Sequence, residues 1–314
     1  MSTRPKIAAL VSTYHKYAHA QHICDRFLEG YGWNGRHHRP EMDLVSLYVD
    51  QVDEERDVSR ERAERFPQLD IYPSIADALT LGGSDLAVDG VLLIAEHGDY
   101  PVNEKQQTLW PRYEFFQQMA SVFRTTGKSA PVFNDKHLSW SWDYAKTMYD
   151  TSRELGFPFM AGSSLPVTWR TPSLDMPLGA EVEEAMCIAC GWNDGGDLHS
   201  YETIQGMVER RQGGEVGVRW IKAYRGDEFW QAHADGVWSR ELFEACLCRS
   251  HQLAPARPGF NSHFPSIDEI RAKVETPWAY QYEHLDGLKS TMITLNGLVG
   301  DFCFAARLKD RDEP

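Results

Sequence analysis

The first half of the chain alternates short apolar runs with helical patterns, and that alternation restricts the fold more than any other feature. Residues 7–11 (IAALV) read as a strand and 18–28 as a helix; 43–49 (DLVSLYV) read as a second strand, followed by a charged helix over 59–65. A short helix over 74–80 precedes an apolar run over 88–95 (VDGVLLIA) of the kind that is buried on both faces of a sheet. A helix over 112–124, a strand over 131–133, a helix over 141–155 and a strand over 157–161 complete the series. Such alternation predicts right-handed βαβ units and a parallel sheet.

The second half changes character. Strands are expected over 180–191 and 216–224, with a helix over 199–211 between them. Residues 280–308 read as an antiparallel meander whose turns are Asp286-Gly287 and Asn296-Gly297, dipeptides that favour tight hairpins. The boundary falls at the SSLP turn, giving domains 1–163 and 164–314. A net charge of −14 argues against a nucleic-acid partner, which needs clustered Lys and Arg. No apolar run approaches the ~18–20 residues of a membrane span. The single five-residue apolar run near the start is too short for a secretory signal, so a soluble cytoplasmic protein is expected. Cys187 and Cys190 sit at an odd offset on a strand, and Cys246 and Cys248 diverge on a helix by about 200°. These are the wrong geometries for paired ligands, so the six cysteines are expected to be free thiols.

Several blocks carry a resemblance. PVFNDKHLSWSWDYAKTMYDTSRELGFPFMAGSSLPVTWR (131–170) and GGDLHSYETIQGMVERRQGGEVGVRWIKA (195–223), together with the first strand and the helix through Ala18-His19-Ala20, resemble the Gfo/Idh/MocA family of sugar and polyol dehydrogenases. The resemblance implies an α/β fold: an N-terminal Rossmann-like parallel sheet plus a C-terminal α+β domain with a mainly antiparallel sheet. It also implies a homo-oligomer, and the chain ends sooner than typical members, so the second sheet is expected to be short of elements. Carried over position by position, Asp135-Lys136-His137 stands where the family has Glu-Lys-Pro, which puts Lys136 on the catalytic lysine. His199 falls on the histidine that acts on the substrate hydroxyl. Asp50 falls where an acidic residue binds the adenosine ribose, a role it holds only if NAD(P) binds.

The departure is at the phosphate loop. The three fingerprint glycines, which provide a tight turn, close backbone approach to a pyrophosphate and helix–strand packing, are replaced by Val11, Thr13 and Lys16, within the stretch VSTYHKYAHA. On that ground conventional NAD(P) binding is disfavoured, and a divalent Zn, Mn or Fe ion is the candidate cofactor ahead of it. Open α/β sheets bind ligands at the carboxyl ends of their strands, which places Tyr14 and His15, Glu96 and His97, Asp135, Lys136 and His137, and Ser163 on one rim. The catalytic candidates are Lys136, His199 and Asp135. The substrate-binding candidates are Tyr14, His15, Tyr100, Ser163, Arg170, Asp197 and Glu202, and the metal candidates are Glu96, His97 and His137. His15, His19 and His22 lie at helical spacing and are expected to pack; His37 and His38 are expected in an exposed loop.

The first functional reading is therefore a carbohydrate-directed enzyme doing acid/base or metal-assisted lyase, isomerase or hydrolase chemistry without conventional NAD(P). The alternatives are an NAD(P)-dependent sugar or polyol dehydrogenase with an altered phosphate loop, and a non-catalytic sugar-binding or partner subunit. In each reading the ligand is a small carbohydrate.

Overall fold

The computed structural model describes residues 4–191, 194–253, 265–312 and 314. They form two compact units, Met1–Gly162 and Ser163–Pro314. The first runs β1 (Lys6–Val11), α1 (His19–Leu28), β2 (Tyr31–Trp33), β3 (Arg36–His38), β4 (Asp43–Val49), α2 (Ser59–Arg65), β5 (Asp70–Ile71) and α3 (Ile75–Thr80). It continues through β6 (Gly90–Ile94), α4 (Arg112–Thr126), β7 (Val132–Asp135), α5 (Trp142–Glu154) and β8 (Phe159–Gly162). Six of these strands form one sheet in the order β5-β4-β1-β6-β7-β8, and every pairing in it is parallel.

The alternation of side chains along β1 explains why it is apolar throughout. Ile7, Ala9 and Val11 enter the core that Cys24 and Leu28 of α1 close. Ala8 and Leu10 enter the opposite core, with Ile75, Phe115, Phe116, Met119 and Phe123 from α3 and α4. Two of the helices, α3 and α5, start where a serine caps them: Ser74 accepts from the Asp77 N–H at 3.0 Å and Ser141 from the Tyr144 N–H at 3.5 Å. The exposed stretch read as a loop is a hairpin, β2 against β3. Its turn is Asn34-Gly35, with φ of +50° and +70°, the left-handed pair that a two-residue hairpin turn requires.

In the second unit a 3₁₀ turn (Leu165–Val167) precedes β9 (Val182–Ala189), α6 (Asp194–Val208), β10 (Val218–Arg225), α7 (Asp227–Ala234), α8 (Arg240–Leu247) and α9 (Ile267–Lys273). The unit ends with β11 (Trp278–His284), β12 (Lys289–Thr294) and β13 (Phe302–Leu308). Its sheet order is β10-β11-β12-β9-β13. The β11–β12 hairpin at Asp286-Gly287 forms as expected, but the meander stops there. β12 pairs with β9 in parallel and β13 pairs with the other edge of β9, antiparallel. The reason lies in the second turn. Asn296 accepts a hydrogen bond from the Gly191 N–H at 3.0 Å and donates to the Gly191 carbonyl, clamping the segment across the end of β9. Leu295, Leu298 and Val299 then bury in the core with α7 and α8. Buried side chains and a specific clamp outweigh the local hairpin preference of Asn-Gly.

All six cysteines are free; Cys24, Cys187, Cys246 and Cys303 are buried, Cys190 is half-buried and Cys248 is exposed. Among the described residues no helix is long and apolar enough to cross a membrane. Asn296→Ala strips both bonds from the Gly191 backbone. It is expected to cost about 1–3 kcal/mol, read as a fall in the denaturation midpoint with an unchanged slope against denaturant.

Candidate active site

The sheet order reverses beside β1: the chain goes from β1 to β4 on one side and later returns to β6 on the other. The carboxyl ends of β1 and β6 flank that switch point, the place where open α/β sheets take ligands. Ser12 ends β1, and its hydroxyl donates into the carbonyls of Glu96 and His97, each 2.8 Å away. One buried hydroxyl thus ties the end of β1 to the end of β6.

The loop that replaces the glycine fingerprint turns its bulk inward. Val11 is a fully buried strand residue, Thr13 is 7% exposed and Tyr14 only 1%. The Tyr14 hydroxyl donates to Asp25 at 2.8 Å, and Arg62 holds the same carboxylate at 2.9 and 3.0 Å. Burial would raise the Asp25 pKa, but the bonds from Arg62, Gln21 and Tyr14 hold it below its usual range. Tyr14 is thus a core anchor, which corrects its assignment to substrate. Lys16 is the one replacement side chain that faces solvent. Helix α1 begins after Ala18, which supplies no capping side chain, and its first turn carries no acidic residue.

Past β6 and β7 the chain builds an ion-pair network. Glu96 is 8% exposed; it takes Lys136 Nζ at 2.9 Å and the guanidinium of Arg112, which is fully buried. Burial would push the Glu96 carboxyl up, but Arg112 and Lys136 outweigh it and hold it at about 2. Arg112 also donates to the Asp135 carbonyl at 3.3 Å and faces His137 Nε2 at 3.3 Å. The Asp135 carboxylate, itself buried, meets His19 Nδ1 at 2.6 Å. The His97 ring lies 5.1 Å from that of His19 and 5.9 Å from that of His15, centroid to centroid. Burial first, and then the neighbouring His19, lowers the His97 pKa. His97 and Lys136 both have left-handed backbones, with φ of +70° and +65°. Non-glycine residues hold that conformation only where their surroundings impose it, and such positions gather at functional sites.

The metal assignment does not survive this geometry. Among the described residues no group of three His, Cys, Asp or Glu side chains is arranged to hold a metal ion. The Glu96 carboxylate is engaged by two cations, and His137 faces a guanidinium.

At the end of β4, Asp50 is exposed, and its two carboxylate oxygens accept the hydroxyls of Tyr48 and Tyr100, each at 2.8 Å. Tyr100 therefore supports Asp50, with its ring edge-on to Trp110.

In the second unit, His199 Nδ1 lies 3.0 Å from the Ser163 hydroxyl, and the Ser163 N–H donates to both oxygens of Glu202, at 2.9 and 3.2 Å. Asp197 accepts from the Trp278 indole at 3.0 Å. Arg170 donates to Asp175 and to the Pro166 carbonyl, each at 2.8 Å, so it pins its own loop. Two members of the first unit's network were missed from the sequence. His19 read only as part of a packing stripe, and Arg112 only as a helix start; neither carries a one-dimensional signal of burial beside a carboxylate.

No protein-family model matches the chain, and no curated protein matches it. Solved structures do. GenD2 from gentamicin A biosynthesis, solved in complex with NAD, is 14% identical with a TM-score of 0.52, over 98% of this chain and 73% of its own. The protein yvaA of Bacillus subtilis, assigned as an oxidoreductase, is 10% identical with a TM-score of 0.52, over 99% of this chain and 70% of its own. These folds correct the first functional reading, that of a lyase, isomerase or hydrolase independent of NAD(P): the chain shares its architecture with oxidoreductases, one of them solved with NAD.

The Glu96 network sets an expected acid limit. The carboxyl's depressed pKa means that its ion pairs stabilise the fold fully above about pH 4.5, and that this contribution is lost as the pH falls from there toward about 2. Glu96→Gln leaves two buried cations without their carboxylate. It is expected to cost about 3–5 kcal/mol at pH 7 and to flatten the fall in stability between pH 5 and pH 3 on that ordinary carboxylate range, both read by denaturant titration. The fold is shared with these two solved structures, in keeping with the fold that the Gfo/Idh/MocA resemblance implied.

Proposed function

We propose that the chain is an NAD(P)-dependent oxidoreductase acting on a secondary hydroxyl of a sugar or polyol, with a phosphate loop built from side chains instead of glycines. The observation that carries this reading is the inward turn of Val11, Thr13 and Tyr14. A β-carbon at a fingerprint position obstructs a pyrophosphate only if it stands over the loop, and these side chains lie beneath it. The rest of the first unit fits the same ligand. Asp50, at the end of β4, keeps lone pairs on both oxygens beyond those that Tyr48 and Tyr100 occupy, enough to accept a ribose hydroxyl. The start of α1 has no cap from Ala18, and apart from the His19 N–H, which faces His97 Nδ1, its first-turn backbone N–H groups can meet an anion; exposed Lys16 adds a positive charge beside it.

The dinucleotide, when bound, supplies the two-electron acceptor or donor that no side chain here can replace. The protein's own part is orientation and proton handling. Glu96 and Arg112 fix Lys136 in one position at the strand end, so its remaining ammonium hydrogens are aimed before substrate arrives. Preorganised charge of this kind stabilises an oxygen that gains negative character as its proton departs. In the second unit, the Ser163 hydroxyl lies against His199 Nδ1 and orients its ring.

Titration of the purified protein with NAD⁺ and NADP⁺, followed by tryptophan fluorescence and native mass spectrometry, tests the reading; saturable binding of one of them is expected. An acidic residue at the ribose position disfavours a 2′-phosphate, so NAD⁺ is expected to bind more tightly than NADP⁺, and Asp50→Ala to weaken NAD⁺ at least as much as NADP⁺. Lys136→Met is expected to lower turnover of a sugar or polyol by about 100-fold or more while leaving dinucleotide affinity within a few-fold. Absence of binding by both dinucleotides at millimolar concentration overturns the proposal.

A further inference from the structure

We infer that His19, activated by Asp135, is the base that takes the proton from the substrate hydroxyl, with Lys136 serving as the fixed cation beside it. The inference rests on the dehydrogenase reading above and assigns the proton in it to a particular atom.

Lys136 is poorly placed to accept a proton. Its Nζ is committed to Glu96 at 2.9 Å, and Glu96 is also held by Arg112, so deprotonating the lysine breaks a buried ion pair. The strand ends therefore need another acceptor. Asp135 meets His19 Nδ1 at 2.6 Å. A carboxylate can only accept there, so Nδ1 carries the hydrogen and the basic lone pair is on Nε2. Asp135 is 4% exposed, whereas the His19 side chain is 29% exposed. The carboxylate is thus buried behind the ring and the imidazole is open, the arrangement in which an acid residue fixes a histidine's tautomer and stabilises its charged form.

His97 is the weaker candidate. Its Nδ1 faces the His19 backbone N–H at 3.5 Å, no carboxylate among the described residues is hydrogen-bonded to it, and burial followed by the charge of His19 disfavours its protonated form. His15 turns its Nδ1 toward the Lys16 carbonyl at 3.0 Å. Of the three clustered histidines, only His19 has a carboxylate on one nitrogen.

In the step itself the substrate O–H bond breaks and an N–H bond forms at His19 Nε2. Asp135 stays ionised and pairs with the resulting imidazolium. An oxidised dinucleotide, when bound, would supply the acceptor for the carbinol hydride that leaves as the alcohol becomes a carbonyl; the protein's own part is the proton at Nε2.

The test has two readouts. The first needs no substrate. Carbethoxylation by diethyl pyrocarbonate, mapped by peptide mass spectrometry, is expected to modify His19 several-fold faster than His22, and Asp135→Asn is expected to abolish that difference. Long-range ¹H–¹⁵N spectra, assigned with His19→Gln, are expected to show the Nδ1–H tautomer in the wild type. The second readout is turnover with NAD⁺ across a panel of sugar alcohols. His19→Gln is expected to lower kcat by about 100-fold or more with dinucleotide affinity and KM nearly unchanged, and the residual rate is expected to rise with pH as hydroxide takes over. A His19→Gln enzyme within threefold of wild type overturns the inference and leaves the dehydrogenase reading standing. If neither dinucleotide binds, that reading fails, and the dyad is judged by the first readout alone: His19 no more reactive than His22, or found as the Nε2–H tautomer, overturns it.

Discussion

A buried carboxylate between two cations organises the first unit. Glu96 lies just past β6, and it draws Arg112 from the start of α4 and Lys136 from the end of β7 into one contact. Each group would be costly to bury alone; together they offset one another's desolvation. The network's cost is visible in the backbone, where His97 and Lys136 are held in left-handed conformations next to it. Ser12 extends it to β1 through the Glu96 and His97 carbonyls, and Asp135 extends it to α1 through His19. Five elements, β1, α1, β6, α4 and β7, are thus joined at the topological switch point by polar contacts, while the two apolar cores pack the same elements together.

The altered loop after β1 follows from the same economy. A glycine fingerprint lets a pyrophosphate approach bare backbone. Here Tyr14 sinks into the core and binds Asp25, which Arg62 also holds, so the loop is anchored from beneath by a buried hydrogen bond. A loop so anchored does not need glycine to reach its conformation, and the one exposed replacement is a lysine. The missing glycines therefore do not by themselves exclude a dinucleotide.

The second unit shows the limit of local signals. Asp286-Gly287 makes the hairpin that its sequence predicts, and Asn296-Gly297, an equally good dipeptide, does not. The two turns differ in their surroundings. The first is an exposed strand connection; the second is flanked by Leu295, Leu298 and Val299, whose burial pulls the segment over the end of β9, where Asn296 clamps Gly191. A hairpin preference is worth less than burying three aliphatic side chains.

Periodicity and composition determined the strand–helix alternation, the parallel sheet and the buried character of β1 and β6, because these depend on which face of an element is apolar, a property written locally in the chain. Lys136 and the acidic end of β4 were singled out by the family resemblance and not by any such local pattern. What only the tertiary structure decided was which polar side chains meet: that Glu96 belongs to Arg112 and Lys136 and not to a metal, that Tyr14 faces inward, that His19 finds Asp135 across 116 residues of sequence, and that β13 crosses to the far side of β9. Those outcomes depend on the energy of burying charge beside its partner, and no stretch of sequence by itself records which partner folding will bring.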